Sequence, residues 1–266
     1  MKIGIVGQGV VGEAIKEGFE YLEHDVLVHD TKFWDTSVSD LINTEICFLC
    51  VPTPKREDGK CDTSIVESVV RELLQVDYRG LIAVKSTVTP GLVDSLSEKF
   101  NIKNICFVPE FLRERCASYD FIHNHDLCVV GVYSDKDYEL VKKAHGNLPK
   151  SFRQCTPIEA EFVKYFNNVY NATLITFANS FSAICESMNV DYGKIKEVIT
   201  QRNHIQDIYL NSSEDTKGFG GACLPKDTSA LNELAKNVEK YDISFFEDIL
   251  KQNSEFETTV FKGMRE

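Results

Sequence analysis

No stretch of this sequence is apolar for long enough to cross a bilayer as a helix, so a membrane protein is not expected. Basic charge is scarce too. Lys and Arg number 29 against 41 Asp and Glu, a net charge of −12. Binding to nucleic acid or to a membrane surface calls for basic patches, so neither partner is expected. Anionic small ligands, which need only a few local groups, stay open. Internal repeats and low-complexity segments are missing. So is a second cysteine pair at metal-ligand spacing, and no metal is expected. The first residues read as a strand rather than a secretory leader, which points to the cytoplasm.

What is present suits a soluble globular protein: 266 residues, 43% hydrophobic and 26% charged. That length suggests one large domain or two ordinary ones. The nine cysteines are an odd number, and several sit in strand-like runs, as expected of free thiols in a reducing compartment. Cys47 and Cys50 form a C-x-x-C inside the run Ile46–Val51. They read as core packing.

The first 30 residues carry a mechanism. Lys2–Val6 is a short apolar run, Gly7-Gln8-Gly9-Val10-Val11-Gly12 follows, and an amphipathic stretch runs from Glu13 to Tyr21. A second run, Asp25–His29, ends at Asp30, 18 positions after the last glycine. A G-x-G-x-x-G between a strand and a helix, followed by an acid at the end of the next strand, is a dinucleotide signal. Gly7 makes the turn, Gly9 admits the pyrophosphate to the helix N-terminus, and Gly12 lets helix and strand pack. Asp30 accepts bonds from the adenosine ribose hydroxyls. Its charge repels a 2′-phosphate, so NAD is expected rather than NADP.

Further strands are expected at Glu45–Val51, Leu81–Ser86, Ile105–Val108 and Leu127–Val132, with helices at Thr63–Gln75, Gly91–Lys99 and Lys136–Ala144. This alternation predicts an α/β fold with a doubly wound parallel sheet over residues 1–150. Ligands of such sheets bind beyond the carboxyl ends of the strands. Val51-Pro52-Thr53-Pro54, Lys85-Ser86-Thr87-Val88 and Pro109-Glu110-Phe111-Leu112-Arg113-Glu114 all lie there. After Thr156 the alternation stops. Helical patterns at Glu159–Met188, Asp191–Thr200, Thr228–Asn237 and Ser244–Phe261 predict a mainly helical domain over 151–266.

Gly218-Phe219-Gly220-Gly221-Ala222-Cys223-Leu224-Pro225-Lys226-Asp227 sets one thiol beside a glycine-rich backbone, an ammonium and a carboxylate. A cation near a thiol favours the nucleophilic thiolate, and a carboxylate can serve as general base on water. That is an arrangement for making and breaking a thioester, although a buried thiol of no chemical role has the same local sequence.

Together, V-P-T-P at 51–54, K-S-T-V at 85–88, P-E-F-L-R-E at 109–114, E-x-x-K-x-x-x-N at 161–168 and G-F-G-G-A-C-L-P-K-D at 218–227 resemble the UDP-glucose/GDP-mannose dehydrogenase family. The P-E-F-L-R-E form looks like its UDP-glucose branch. The resemblance implies a Rossmann-type domain, NAD, and two-step oxidation of the primary alcohol of a nucleotide sugar, UDP-glucose to UDP-glucuronate. Carried over by motif, Cys223 holds the aldehyde as a thiohemiacetal and then the acid as a thioester. Lys164 and Asn168 stabilise the oxyanion, and Asp227 and Thr87 position or activate water. Glu114 assists proton transfer near the nicotinamide, and Glu110 supports the site. Thr53, Thr87, Glu114 and Lys226 join Gly7, Gly9, Val10, Val11, Gly12 and Asp30 at the cofactor. Phe111, Leu112, Arg113, Lys164, Asn168 and Gly220 touch the sugar nucleotide.

The long apolar helix from Glu159 implies a homodimer. Family members continue beyond the point matching Glu266 into a UDP-binding domain, so a separate chain supplying that domain is a further expected partner. Departures from the family pattern are Arg115 after P-E-F-L-R-E, Asp126-Leu127 in place of D-R, and Lys217-Gly218 in place of Pro-Gly. A β-hydroxyacid-type dehydrogenase on the same two domains, or a truncated non-catalytic NAD-binding subunit, are the alternatives. The first of these has no use for a cysteine.

Overall fold

The computed structural model describes residues 1–213 and 217–256. The chain divides into two compact units. The first holds Met1–Pro54 and Cys61–Lys164, the second Lys55–Lys60 and the residues from Tyr165 on.

The first unit is built on a seven-stranded sheet: β1 (Lys2–Val6), β2 (Asp25–His29), β3 (Ile46–Leu49), β4 (Leu81–Val84), β5 (Ile105–Phe107), β6 (Cys128–Gly131) and β7 (Phe152–Cys155). Their spatial order is β2-β1-β3-β4-β5-β6-β7. Strands β1 to β5 pair in parallel, as expected. The sheet is not parallel throughout. β6 meets β5 antiparallel through Phe107 and Gly131, and β7 follows β6 in parallel. An apolar run marks a strand but not its direction, so alternation alone cannot reveal this reversal.

The inner strands β1 and β3 to β6 are buried on both faces and read as apolar runs, as parallel sheets do. Along β3, Ile46 and Phe48 enter one core while Cys47 and Leu49 enter the other. One core is closed by α2 (Ser64–Gln75) and α3 (Leu92–Phe100), which supply Val66, Val70, Leu73, Val93 and Leu96. The other is closed by α1 (Val10–Tyr21), α4 (Ala117–His123) and α5 (Asp135–His145), which supply Ile15, Phe19, Phe121, Val141 and Ala144. α4 and β7 had no sequence signal of their own. α4 is seven residues long, and Phe-Arg-Gln-Cys in β7 is only partly buried at the sheet edge. Cys47 lies in the core, and burial pushes the Cys50 thiol up to about 12, in keeping with packing rather than reactivity.

α6 (Pro157–Ser187) is a 31-residue helix that begins in the first unit and continues into the second. The division at Lys164 therefore falls inside this helix, after the last strand and past the expected boundary near 150. The second unit adds α7 (Tyr192–Ile199), α8 (Leu224–Ala235) and α9 (Phe245–Ser254), with Ala172, Phe219 and Ile249 at its centre. The expected extension of α9 to Phe261 lies outside the described residues.

Candidate active site

The dinucleotide turn of the first unit is shaped by what its glycines cannot carry. Gly7 has φ +94°, and a Cβ on it would stand 2.7 Å from the Cys50 carbonyl oxygen. A Cβ on Gly12 would collide with the Gly7 carbonyl oxygen. Gly9, the residue preceding α1, has open space where its Cβ would stand, and no side chain caps that helix end. The uncapped N–H groups of Val10 and Val11 thus border a concavity that a side chain at residue 9 would fill. An anionic pyrophosphate fits there.

Asp30 is oriented by two backbone amides. Gln8 N donates to Oδ2 at 2.6 Å and Lys32 N to Oδ1 at 2.9 Å. Partial burial works against its charge, but these bonds and the nearby Lys32 ammonium more than offset it and hold the carboxyl below the usual range. Each oxygen keeps a lone pair for a ribose hydroxyl. A cleft of about 620 Å³ is lined by Gln8, Gly9, Val10 and Glu13 on one side and Glu114–Tyr119 on the other. Glu114 therefore lies at the cofactor turn. Arg115 brings a cation to a cleft that also holds two carboxylates.

At the carboxyl ends of β3 and β4, Thr53 Oγ1 donates to the Thr87 carbonyl at 2.8 Å. The Cys61 thiol approaches the same oxygen at 3.4 Å. The expected pair Thr53 and Thr87 is thus joined through backbone and hydroxyl.

Beside it the Pro109–Glu114 segment is braced from within. The Glu110 carboxylate turns inward to Lys85, with Nζ 3.0 Å from Oε2, and accepts the Phe111 amide on Oε1. Lys85 is wholly buried, also donates to the Val108 carbonyl, and lies over the rings of Phe48 and Phe121. Burial opposes charge on both groups, yet their mutual attraction keeps Lys85 above and Glu110 below the ordinary value. What Glu110 offers Lys164 is its carbonyl: Lys164 Nζ donates to it at 2.5 Å, above the Phe111 ring. Leu112 packs into the core, and Arg113 forms a two-point pair with Asp120, Nε to Oδ2 2.9 Å and Nη2 to Oδ1 2.6 Å. Glu161, first residue of the E-x-x-K motif, caps α3 by accepting the amides of Gly91 and Val93.

The second unit holds the cysteine loop. Gly221, at φ +77°, turns the chain into α8. Cys223 stands at the N-cap with its thiol exposed, and Pro225 sits in the first turn, where it is well tolerated. Asp227 follows one helical turn later, its N–H bonded to the Cys223 carbonyl at 2.9 Å. It lies in the first turn of α8, which begins at Leu224. Its buried carboxylate accepts Asn168 Nδ2 on one oxygen and Lys226 Nζ on the other, both at 2.6 Å. Asn167 in turn donates to the Asn168 side-chain carbonyl. Asn253 on α9 pins the loop ahead of Gly220, giving one bond to Phe219 O and accepting one from Phe219 N.

The family descriptions match these two units in turn. The NAD-binding domain of the UDP-glucose/GDP-mannose dehydrogenase family matches residues 32–148, and its central domain matches residues 158–255. The chain belongs to this family. It is 33% identical over 242 residues to a UDP-glucose 6-dehydrogenase of Rickettsia bellii, covering 88% of this chain and 54% of that protein. It is 31% identical to a putative UDP-glucose 6-dehydrogenase of Bacillus subtilis, covering 91% and 65%. The chain thus spans about half to two thirds of these curated relatives. A UDP-glucose dehydrogenase structure from Pyrobaculum islandicum superposes with a TM-score of 0.87 at 25% identity, over 96% of this chain and 68% of that one. NAD is the cofactor of the matched nucleotide-binding domain, and the Gly9 concavity and the Asp30 carboxylate suit it.

Sequence reasoning named most of these groups but missed two that hold them. Lys85 was legible only as part of a motif, since nothing local shows that a lysine ending a strand is buried. Asn253 lies 34 residues from its partner Phe219 and carries no motif.

Proposed function

We propose that this chain carries out the NAD-dependent, four-electron oxidation of a nucleotide sugar, UDP-glucose to UDP-glucuronate, through Cys223. When bound, NAD would supply the hydride acceptor, one molecule for each of the two oxidations, the first leaving as NADH before the second binds. After the alcohol has lost its first hydride and a proton, the Cys223 sulfur adds to the aldehyde carbon. The resulting thiohemiacetal loses a second hydride and its hydroxyl proton and becomes a thioester. Water then displaces the thiol and releases the acid. At the N-terminus of α8 the positive end of the helix favours a negative sulfur.

The observation that carries this reading is the Cys223–Asp227 turn. An exposed thiol stands one turn before a buried carboxylate that is held by an amide and an ammonium. A single oxidation of a hydroxyacid needs no such thiol, which disfavours that alternative. Asn168 uses one amide hydrogen on Asp227 and retains a second for an oxyanion. By the family pattern, Thr87 and Asp227 position the hydrolytic water, and Glu114 assists proton transfer at the nicotinamide. Thr53 and Lys226 contact the cofactor, while Phe111, Leu112, Arg113 and Gly220 contact the sugar nucleotide.

A second copy of this chain is the proposed partner. Phe166, Tyr170, Phe177, Phe181 and Ile184 recur along α6 at helical spacing and are all exposed. Phe166 stacks on Tyr170, so this is an ordered apolar stripe. Light scattering at micromolar concentration should give a dimer mass.

Mass spectrometry after mixing with NAD and UDP-glucose tests the mechanism. Wild type should show an acyl adduct on the Cys223 peptide and form acid. Cys223→Ala should stop at about one NADH per site. Acid formation by Cys223→Ala at the wild-type rate refutes the thioester, and no NADH from wild type at millimolar sugar nucleotide refutes the activity.

A further inference from the structure

Trp34 is the single tryptophan of the sequence, and it is 96% exposed. An indole buries a large area when covered, so leaving it wholly in water forgoes that stabilisation. Its loop is nonetheless held at both ends. Phe33 N donates to the Asp30 carbonyl at 2.9 Å, closing a turn on the cofactor carboxylate. His29 Nδ1 pairs with Thr36 Oγ1 at 3.1 Å, and Ser37 N donates to Asp40 Oδ2 at 2.7 Å. Trp34 and Asp35 form the turn between these ties.

The position is defined by the Asp30 turn. The ends of such a turn lie under about 7 Å apart, and the next Cα adds about 3.8 Å. Trp34 Cα is therefore within roughly 11 Å of Asp30 Cα. A dinucleotide whose ribose hydroxyls bond to Asp30 carries its adenine on the same sugar. A base on that sugar is within reach of the loop that begins at Asp30. A purine presents a flat π-face, and an indole is its natural platform.

We infer that Trp34 is an adenine-stacking residue of the cofactor site. The indole covers one face of the base while Asp30 holds the ribose. This inference rests on the NAD reading of the Asp30 site and does not depend on the Cys223 chemistry. It also accounts for an aromatic side chain left exposed on a tied loop.

The single indole gives a direct readout. Titration of wild type with NAD, ADP-ribose or AMP should shift or quench the tryptophan fluorescence saturably, whereas nicotinamide mononucleotide should not. By calorimetry, Trp34→Ala should raise the Kd for ADP-ribose on the order of tenfold. Trp34→Phe should restore most of that loss. A side chain this exposed should leave the thermal midpoint unchanged, so a misfolded variant is recognisable by circular dichroism. An unchanged ADP-ribose Kd in folded Trp34→Ala overturns the inference, as does ADP-ribose binding without any fluorescence change. If wild type fails to bind ADP-ribose at millimolar concentration, both this inference and the NAD assignment to Asp30 fall. If Trp34 responds to ADP-ribose but no sugar nucleotide yields NADH, the oxidation proposal fails and the stacking role stands.

Discussion

Replacing Lys85 by Met removes the charge of a buried pair while keeping a side chain of similar length over Phe48 and Phe121. In the native protein Lys85 Nζ lies 3.0 Å from Glu110 Oε2, with the two side chains 0% and 6% exposed. Without the ammonium, the Glu110 carboxylate keeps only the Phe111 amide. An uncompensated buried charge costs about 3–5 kcal/mol, and that is the loss expected for Lys85→Met at pH 7. The pH dependence should reverse as well. In wild type, burial raises the Glu110 pKa but Lys85 more than offsets it and holds it below the unfolded value. The pair's stabilisation is therefore present above the unfolded pKa, near 4.5, and lost as pH falls through the folded one. In Lys85→Met, burial is opposed only by His125 and the Phe111 amide, so Glu110 takes up a proton on folding. The variant should recover stability as pH drops from 7 toward 5. Glu110→Gln in the Lys85→Met background should relieve most of the loss at pH 7. Urea unfolding followed by circular dichroism at both pH values measures all of this. A Lys85→Met cost below about 1 kcal/mol at pH 7, or identical pH dependence in variant and wild type, would refute the reasoning.

Three further outcomes follow from the site. Asp30→Ala should weaken NAD binding by about 1–3 kcal/mol in calorimetry, the worth of charge-assisted hydrogen bonds, and narrow the preference for NAD over NADP. Gly12→Ala places a methyl against the Gly7 carbonyl oxygen, so NAD affinity and thermal midpoint should both fall; an unchanged midpoint would show that the turn yields. For Glu161, burial outweighs the Gly91 and Val93 amides and pushes the carboxyl up to about 7. Because the folded pKa exceeds the unfolded one, this group's contribution is complete below about pH 4.5 and is lost as pH rises through 7. Wild type should lose up to ~3 kcal/mol from this source between pH 5 and 8, and Glu161→Gln should abolish that part of the slope in urea midpoints.

The sequence by itself determined the alternation of strands and helices in the first unit. The apolar runs that hold Lys2–Val6 and Ile46–Leu49 needed no tertiary information, since a strand buried on both faces is apolar throughout. It also determined the chemistry of the turn, because only glycine meets the demands at Gly7 and Gly12. The order of the motifs was enough to identify the family before any distance was known. Tertiary structure alone decided the reversal of β6, because an apolar run has no direction. It alone set the division of the chain within α6, which one helical pattern runs straight through. It also decided what each charged side chain does. Lys85 and Glu110 are 25 residues apart, and Asn168 and Asp227 are 59 apart. A lysine or a carboxylate reads the same in sequence whether it faces water or a partner. Burial and the identity of that partner set its charge and its role, and both are properties of the folded chain.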